Sequence, residues 1–163
     1  MRKILFAILC LLFVSCSNLY KANKAYERGD YVENVVLTFK YFDEKPENFK
    51  DNALIDEIRA MEPDLIVVVA YGKILPKEVL DIPKYGVINL HSSLLPRFRG
   101  AAPINAAIIH GDSKSGVSIM YVEEELDAGP VILQKETEIS DEDTFLTLHD
   151  RLKDMGADLL VEA

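Results

Sequence analysis

The sequence predicts an α/β fold in which strands and helices alternate over most of the chain. Three observations carry this expectation. Residues 65–70 form an unbroken, β-branched aliphatic run without polar alternation, the pattern of a parallel strand covered on both faces. Residues 87–91 are a second apolar run, ending in polar groups at a loop rich in turn formers. Thr144 opens a segment with Phe145, Leu148, Leu152, Met155, Leu159 and Leu160 at helical spacing. The 163 residues allow about one domain, and 49% hydrophobic residues are enough to give it a core.

The elements before this region read differently. Arg2 and Lys3 precede an apolar run over residues 4–14, followed by Ser15 and Cys16, which is the order of a secretory signal. The run is too short to span a bilayer. Its end resembles a bacterial lipobox, in which Cys16 is lipidated and attaches the chain to a membrane. The other reading of the same run is a buried strand or helix. Residues 17–44 read as a helical hairpin broken at Gly29-Asp30, with Tyr20, Ala25, Tyr26, Tyr31, Val35 and Phe39 as packing positions. Ala25 to Tyr31 resembles the turn of a tetratricopeptide helix pair, and an ordinary hairpin fits equally well. Charge shifts at this point: residues 1–44 hold six Lys/Arg and five Asp/Glu, whereas residues 45–163 hold twelve and twenty-two. The sequence thus divides into a signal segment (1–16), a helical hairpin (17–44) and an acidic α/β region (45–163), with the last boundary near Pro46.

Within the acidic region, Leu54, Ile55, Ile58 and Met61 mark a helix over 51–61, which Pro63-Asp64 ends. The strand over 65–70 runs into a loop at Tyr71-Gly72-Lys73. Tyr85-Gly86 introduces the strand over 87–91, and Pro96 and Gly100 punctuate the loop that follows. Pro103 fits the first turn of a helix to about His110, closed by Gly111-Asp112. Residues 117–122 and 131–135 read as two strands separated by a Glu-rich loop, before the helix from Thr144.

Composition narrows the chemistry. A formal charge of -9 argues against a surface built mainly to grip nucleic-acid phosphates. Both cysteines, Cys10 and Cys16, lie near the start, so no thiolate metal site or cysteine nucleophile can form beyond them. No metal is expected. In open α/β sheets ligands bind beyond the carboxyl ends of strands, where Asn89 and His91 lie. Two residues apart on one strand, they share a face. Their plainer reading is a pair of satisfied polar groups pinning a loop. Asp127, between the two later strands, supplies a carboxylate that could orient His91. Together the three suit acyl-type transfer to an amine, which needs an oxyanion donor and a group that moves protons.

The stretches Asp64-Leu65-Ile66-Val67-Val68-Val69-Ala70-Tyr71-Gly72, Ile88-Asn89-Leu90-His91-Ser92-Ser93-Leu94-Leu95-Pro96-Arg97-Phe98-Arg99-Gly100-Ala101-Ala102-Pro103-Ile104 and Leu126-Asp127-Ala128-Gly129 resemble bacterial methionyl-tRNA formyltransferases. The resemblance runs from about Lys45 to Ala163. It implies a partial Rossmann-like formyltransferase fold with a mostly parallel sheet, and the helical N-terminal segment read from residues 17–44 precedes it. It further implies that Asn89, His91 and Asp127 are catalytic and that Ser93, Leu94, Leu95 and Pro96 are the tetrahydrofolate-binding signature. Ala70, Tyr71 and Gly72 would line the pterin pocket with the Asp127 loop, and Arg97 and Arg99 would lie near the cofactor or tRNA end. The implied formyl donor is 10-formyltetrahydrofolate, without a metal, and the implied acceptor is initiator methionyl-tRNA, handled by a cytoplasmic monomer. The N-terminal signal points instead to a membrane lipoprotein.

Where the family usually has Asp-Glu-Gly, this chain has Glu123-Glu124-Glu125. The resemblance also starts after the family's opening strands and stops before its C-terminal tRNA-binding domain, so a joined, weakly active fragment is expected. Two alternatives stand beside the enzyme: a noncatalytic lipoprotein-fused remnant, and another folate-dependent enzyme such as glycinamide ribonucleotide formyltransferase.

Overall fold

The computed structural model describes residues 4–7 and 52–163. The expected signal segment outside 4–7, with Cys16, lies beyond the described residues, as do the hairpin over 17–44 and the boundary near Pro46. The chain forms two compact units, Met1–Ile88 and Asn89–Ala163.

In the first unit, strand β1 (Ile4–Ala7) falls within the run read as a secretory signal and pairs in parallel with β2 (Leu65–Val69). Ile4 stands opposite Leu65, and Ala7 opposite Val68. Ile66, Val67 and Val68 are buried in succession, so β2 is covered on both faces, as its unalternated pattern requires. Helix α1 (Asn52–Ala60) buries Ile55. It stops where Glu62 takes a left-handed conformation (φ 49°) ahead of Pro63. A single-turn helix, α2 (Lys77–Leu80), was not expected, because one turn holds too few residues to show a period. The return to β2 is closed by two backbone bonds: Tyr85 N–H donates to the Asp64 carbonyl (2.7 Å) and Ile66 N–H to the Gly86 carbonyl (3.2 Å).

Strand β3 (Val87–His91) starts in the first unit and ends in the second. After it, the second unit contains helix α3 (Pro103–Ile109), strands β4 (Lys114–Tyr121) and β5 (Val131–Glu138), and helix α4 (Phe145–Glu162). Strands β4 and β5 pair antiparallel, as expected for neighbours joined by a short loop without a crossover helix. The strands are therefore mixed in sense, and the fold class is α/β. Both are longer than the apolar pattern indicates. The added part pairs Lys114 with Glu138 and Ser115 with Thr137, polar residues that do not announce a strand.

Helix α4 begins in a reciprocal cap, the Thr144 hydroxyl accepting from Thr147 N–H (3.3 Å) while Thr147 Oγ1 accepts from Thr144 N–H (2.9 Å). Leu148, Leu152 and Leu159 are buried, whereas Phe145, which shares their apolar pattern, lies 43% exposed at the first helical position. Gly156 lets α4 approach β3: a Cβ there would fall 2.6 Å from the Leu90 side chain. Among the described residues no helix is long and apolar enough to cross a membrane.

Candidate functional site

The site is built at the end of β3. Asn89 and His91 lie on one face of the strand, with Asn89 half-buried and His91 6% exposed. No hydrogen bond from the Asn89 amide is found among the described residues, so its donors are open to a ligand. His91 is held on both sides. Its Nε2 lies 2.9 Å from the Phe98 carbonyl, and its Nδ1 lies 3.5 Å from Oδ2 of Asp127.

A carbonyl oxygen only accepts, so Nε2 is the donor in that contact. This leaves Nδ1 facing the carboxylate, close enough for ion pairing but long for a hydrogen bond. In the neutral ring this nitrogen accepts, and in the protonated ring it donates towards Asp127.

Asp127 is brought there by its loop. Its backbone is left-handed (φ 48°), and its Oδ2 accepts from Gly100 N–H at 2.8 Å. Gly129 closes the loop, because a Cβ there would collide with the Tyr121 carbonyl. Glu123, Glu124 and Glu125 are all exposed, and the substituted residues leave Asp127 aimed at both Gly100 and His91.

The strap after β3 is held from below by β4. Ser93 is 1% exposed, with its hydroxyl donating to the Arg97 carbonyl (2.6 Å), so it shapes the strap instead of presenting a polar group outward. Ser118 of β4 donates to the Ser93 carbonyl (2.6 Å) and accepts from Leu95 N–H (3.2 Å). Gln134 of β5 donates to the Leu95 carbonyl (2.9 Å) and to the Ser118 hydroxyl (2.8 Å). Leu94 seats over Gly116, where a Cβ would overlap it. The Leu95–Pro96 peptide is cis, and Pro96 is exposed.

Past Pro96, Phe98 (φ 57°) and Ala102 (φ 55°) take left-handed conformations. For a bulky residue such as Phe98 this costs on the order of 1–3 kcal/mol and persists only where the surroundings enforce it.

Sequence reasoning named Asn89, His91 and Asp127; the structure sets His91 against Asp127 and puts Asn89 two residues before His91 on the same strand face. It missed Ser118 and Gln134, which hold the strap. Ser118 carried a readable signal, a polar residue inside the apolar run Val117 to Met120, the same kind of signal that marked Asn89 and His91. Arg97, expected near a ligand, has its guanidinium engaged by Asp112, with Nε to Oδ2 at 2.5 Å and Nη2 to Oδ1 at 2.6 Å. The Asp112 contact raises the Arg97 pKa and, reciprocally, lowers that of Asp112. Arg99 is exposed.

Ala70, Tyr71 and Gly72 belong to the first unit, where Ala70 (φ 52°) and Gly72 (φ 72°) are left-handed and burial raises the Tyr71 pKa. That unit also has an open cavity of about 710 Å³ lined by Arg59, Glu62, Asp64, Glu78, Asp81 and Lys84, among others, and none of the candidate site residues lines it. Among the described residues no cluster of three or more His, Cys, Asp or Glu could hold a metal ion.

The formyl transferase family model matches residues 13–163, starting upstream of the boundary expected near Pro46. A methionyl-tRNA formyltransferase from Fusobacterium nucleatum is 87% identical over 119 residues, covering 73% of this chain and 38% of the relative. The chain thus spans well under half the length of that relative. Among solved structures, a phosphoribosylglycinamide formyltransferase from Streptococcus pneumoniae has a TM-score of 0.70 at 26% identity, covering 99% of this chain and 96% of that one. A formyltetrahydrofolate deformylase from Pseudomonas syringae shares the fold with a TM-score of 0.77 at 24% identity, covering 99% of this chain and 60% of that one.

Proposed function

The chain belongs to the formyl transferase family, and on that premise we propose that it carries the catalytic centre of a methionyl-tRNA formyltransferase. The reaction moves a formyl group from 10-formyltetrahydrofolate to the amino group of initiator methionyl-tRNA, in the cytoplasm, where both substrates occur. The observation that carries the reading is the meeting of His91 with Asp127 at the end of β3, beside the open amide of Asn89.

The proposed chemistry follows from those groups. The methionyl amine attacks the formyl carbon, forming a carbon–nitrogen bond and placing negative charge on the formyl oxygen. Asn89 donates to that oxygen, and His91 polarises or protonates it. Asp127 takes the proton released by the amine, directly or through water. The bond to the folate nitrogen then breaks, that nitrogen taking the proton held by Asp127 as it leaves, and any proton given to the formyl oxygen returns to His91 as the carbonyl re-forms. Backbone groups of the strap at Ser93, Leu94, Leu95 and Pro96 hold the folate. No step needs a metal. We further propose that the enzyme acts as a monomer. The lipoprotein reading of residues 1–16, with Cys16 as a membrane anchor, competes with this one, because cleavage before Cys16 would remove β1, which pairs with β2.

A second reading is supported by the similarity to the S. pneumoniae enzyme, whose name specifies another acceptor. Here the same transfer would end on the amine of glycinamide ribonucleotide. The third reading, a noncatalytic remnant, predicts folate binding without transfer. A titration with the folate donor and transfer assays with both acceptors separate the three. The expected result is formylation of methionyl-tRNA, with His91→Ala lowering the rate by about a hundredfold to ten-thousandfold. Transfer to glycinamide ribonucleotide alone selects the second reading, and binding without transfer the third.

A further inference from the structure

We infer that Arg97, Phe98 and Asp112 form a clamp that fixes the orientation of the His91 ring and keeps its proton on Nε2. This rests on the reading of His91 as the group that handles the proton.

The first observation is the Phe98 carbonyl, 2.9 Å from His91 Nε2. Because it can only accept, it selects the ring form with hydrogen on Nε2 and turns Nδ1 to Asp127. The second is that Phe98 delivers this carbonyl from a left-handed backbone (φ 57°), which an aromatic residue does not adopt unaided. Something must hold it there.

The neighbours of Phe98 supply the restraint. The Arg97 guanidinium lies 4.4 Å from the centre of the Phe98 ring, and the His110 ring lies 5.4 Å from it on the adjoining helix end. The Arg97 side chain is 56% exposed, and both arms of its fork are bonded to Asp112, whose side chain is 16% exposed. Asp112 is itself tied to α3, its N–H donating to the Ala107 carbonyl at 3.1 Å. On the other side, the Arg97 carbonyl accepts from Ser93 and its N–H donates to the Leu94 carbonyl (3.0 Å). The residue before Phe98 is therefore anchored through both backbone and side chain.

A bidentate, planar contact has a geometry that lysine cannot reproduce. Arg97 thus acts on the reaction through His91, as a positioning residue, rather than by meeting substrate.

The test uses the full chain labelled with 15N at its histidines. Long-range 15N–1H spectra near pH 8.5, about two units above the ordinary histidine pKa, report which ring nitrogen carries hydrogen. His91→Gln assigns the His91 signals, leaving His110 and His149 as internal references. The wild-type chain is expected to show hydrogen on Nε2 of His91. Arg97→Lys and Asp112→Asn, both near in size to the native residues, are expected to shift part of the population to Nδ1. In transfer assays they should lower kcat by up to about a hundredfold, the scale of a misplaced catalytic group, with KM for the folate donor little changed.

A wild-type ring bearing hydrogen only on Nδ1 would overturn the inference. So would folded variants, checked by circular dichroism, with an unchanged His91 spectrum. If the chain transfers no formyl group at all, the proposed function fails while the spectra still decide the clamp.

Discussion

Two parts of the second unit, the strap from Ser92 to Ala102 and helix α4, are held by different forces. Helix α4 is fixed by buried apolar side chains on one face, Leu148, Leu152 and Leu159, with Gly156 admitting Leu90. The strap is fixed by individual polar atoms: the Ser118 and Gln134 side chains bond its backbone, and Phe98 and Ala102 sit in left-handed conformations. Apolar burial has no direction and tolerates exchange between side chains of similar volume. A network of short, directed bonds tolerates little. The difference shows where this chain places its precision, beside the residues assigned to chemistry.

The largest effect tests the helix side. Leu152→Ala removes a side chain that is 1% exposed and is expected to destabilise the chain by about 2–5 kcal/mol in denaturant unfolding, without altering donor affinity in the remaining folded protein. Leu152→Met should cost less than about 1.5 kcal/mol. An equal loss in the two variants would mean that α4 depends on shape as closely as the strap does.

On the strap side, Ser118→Ala leaves the Ser93 carbonyl, the Leu95 N–H and the Gln134 amide without one partner each. About 1–3 kcal/mol of stability should be lost, and folate-donor affinity should fall in the same variant. Titration and unfolding measured together check this. Lost stability with unchanged affinity would make the network structural only.

The same contrast explains what the sequence disclosed. Helix α4 was legible because Leu148, Leu152 and Leu159 repeat at helical spacing, and β2 because its apolar run is unbroken. Asn89, His91 and Asp127 stood out by residue type and by their places at strand ends. The strap itself has no periodicity, so its path could be read only through family resemblance. Nothing local in the sequence says that Arg97 turns to Asp112, since that contact depends on where α3 ends. The single turn at Lys77–Leu80 and the polar ends of β4 and β5 were missed for want of a pattern.

A smaller effect concerns the start of α4. The Asp143 carboxylate accepts from Ser140 N–H (2.9 Å), Arg151 Nη2 (2.7 Å) and Thr147 Oγ1 (2.8 Å), contacts that hold its pKa well below the usual carboxylate range, the Ser140 bond most of all. A carboxyl group depressed in the folded state contributes stability above its unfolded pKa and loses that contribution as pH falls through the folded value. Asp143→Asn is therefore expected to lower Tm at neutral pH, by an amount that shrinks as the pH drops below about 4. A difference that stays constant over that range would show that the charge of Asp143 contributes nothing.

The central claim is that the end of β3 presents an oxyanion donor to a formyl group, and Asn89→Ala tests it most directly. The Asn89 amide bonds to no described residue, so the variant should melt as the wild-type chain does and bind the folate donor with similar affinity. Its single-turnover transfer to methionyl-tRNA should be slower by about a hundredfold to a thousandfold, the cost of one lost oxyanion donor. Transfer at the wild-type rate by a folded, donor-bound Asn89→Ala chain would contradict the account.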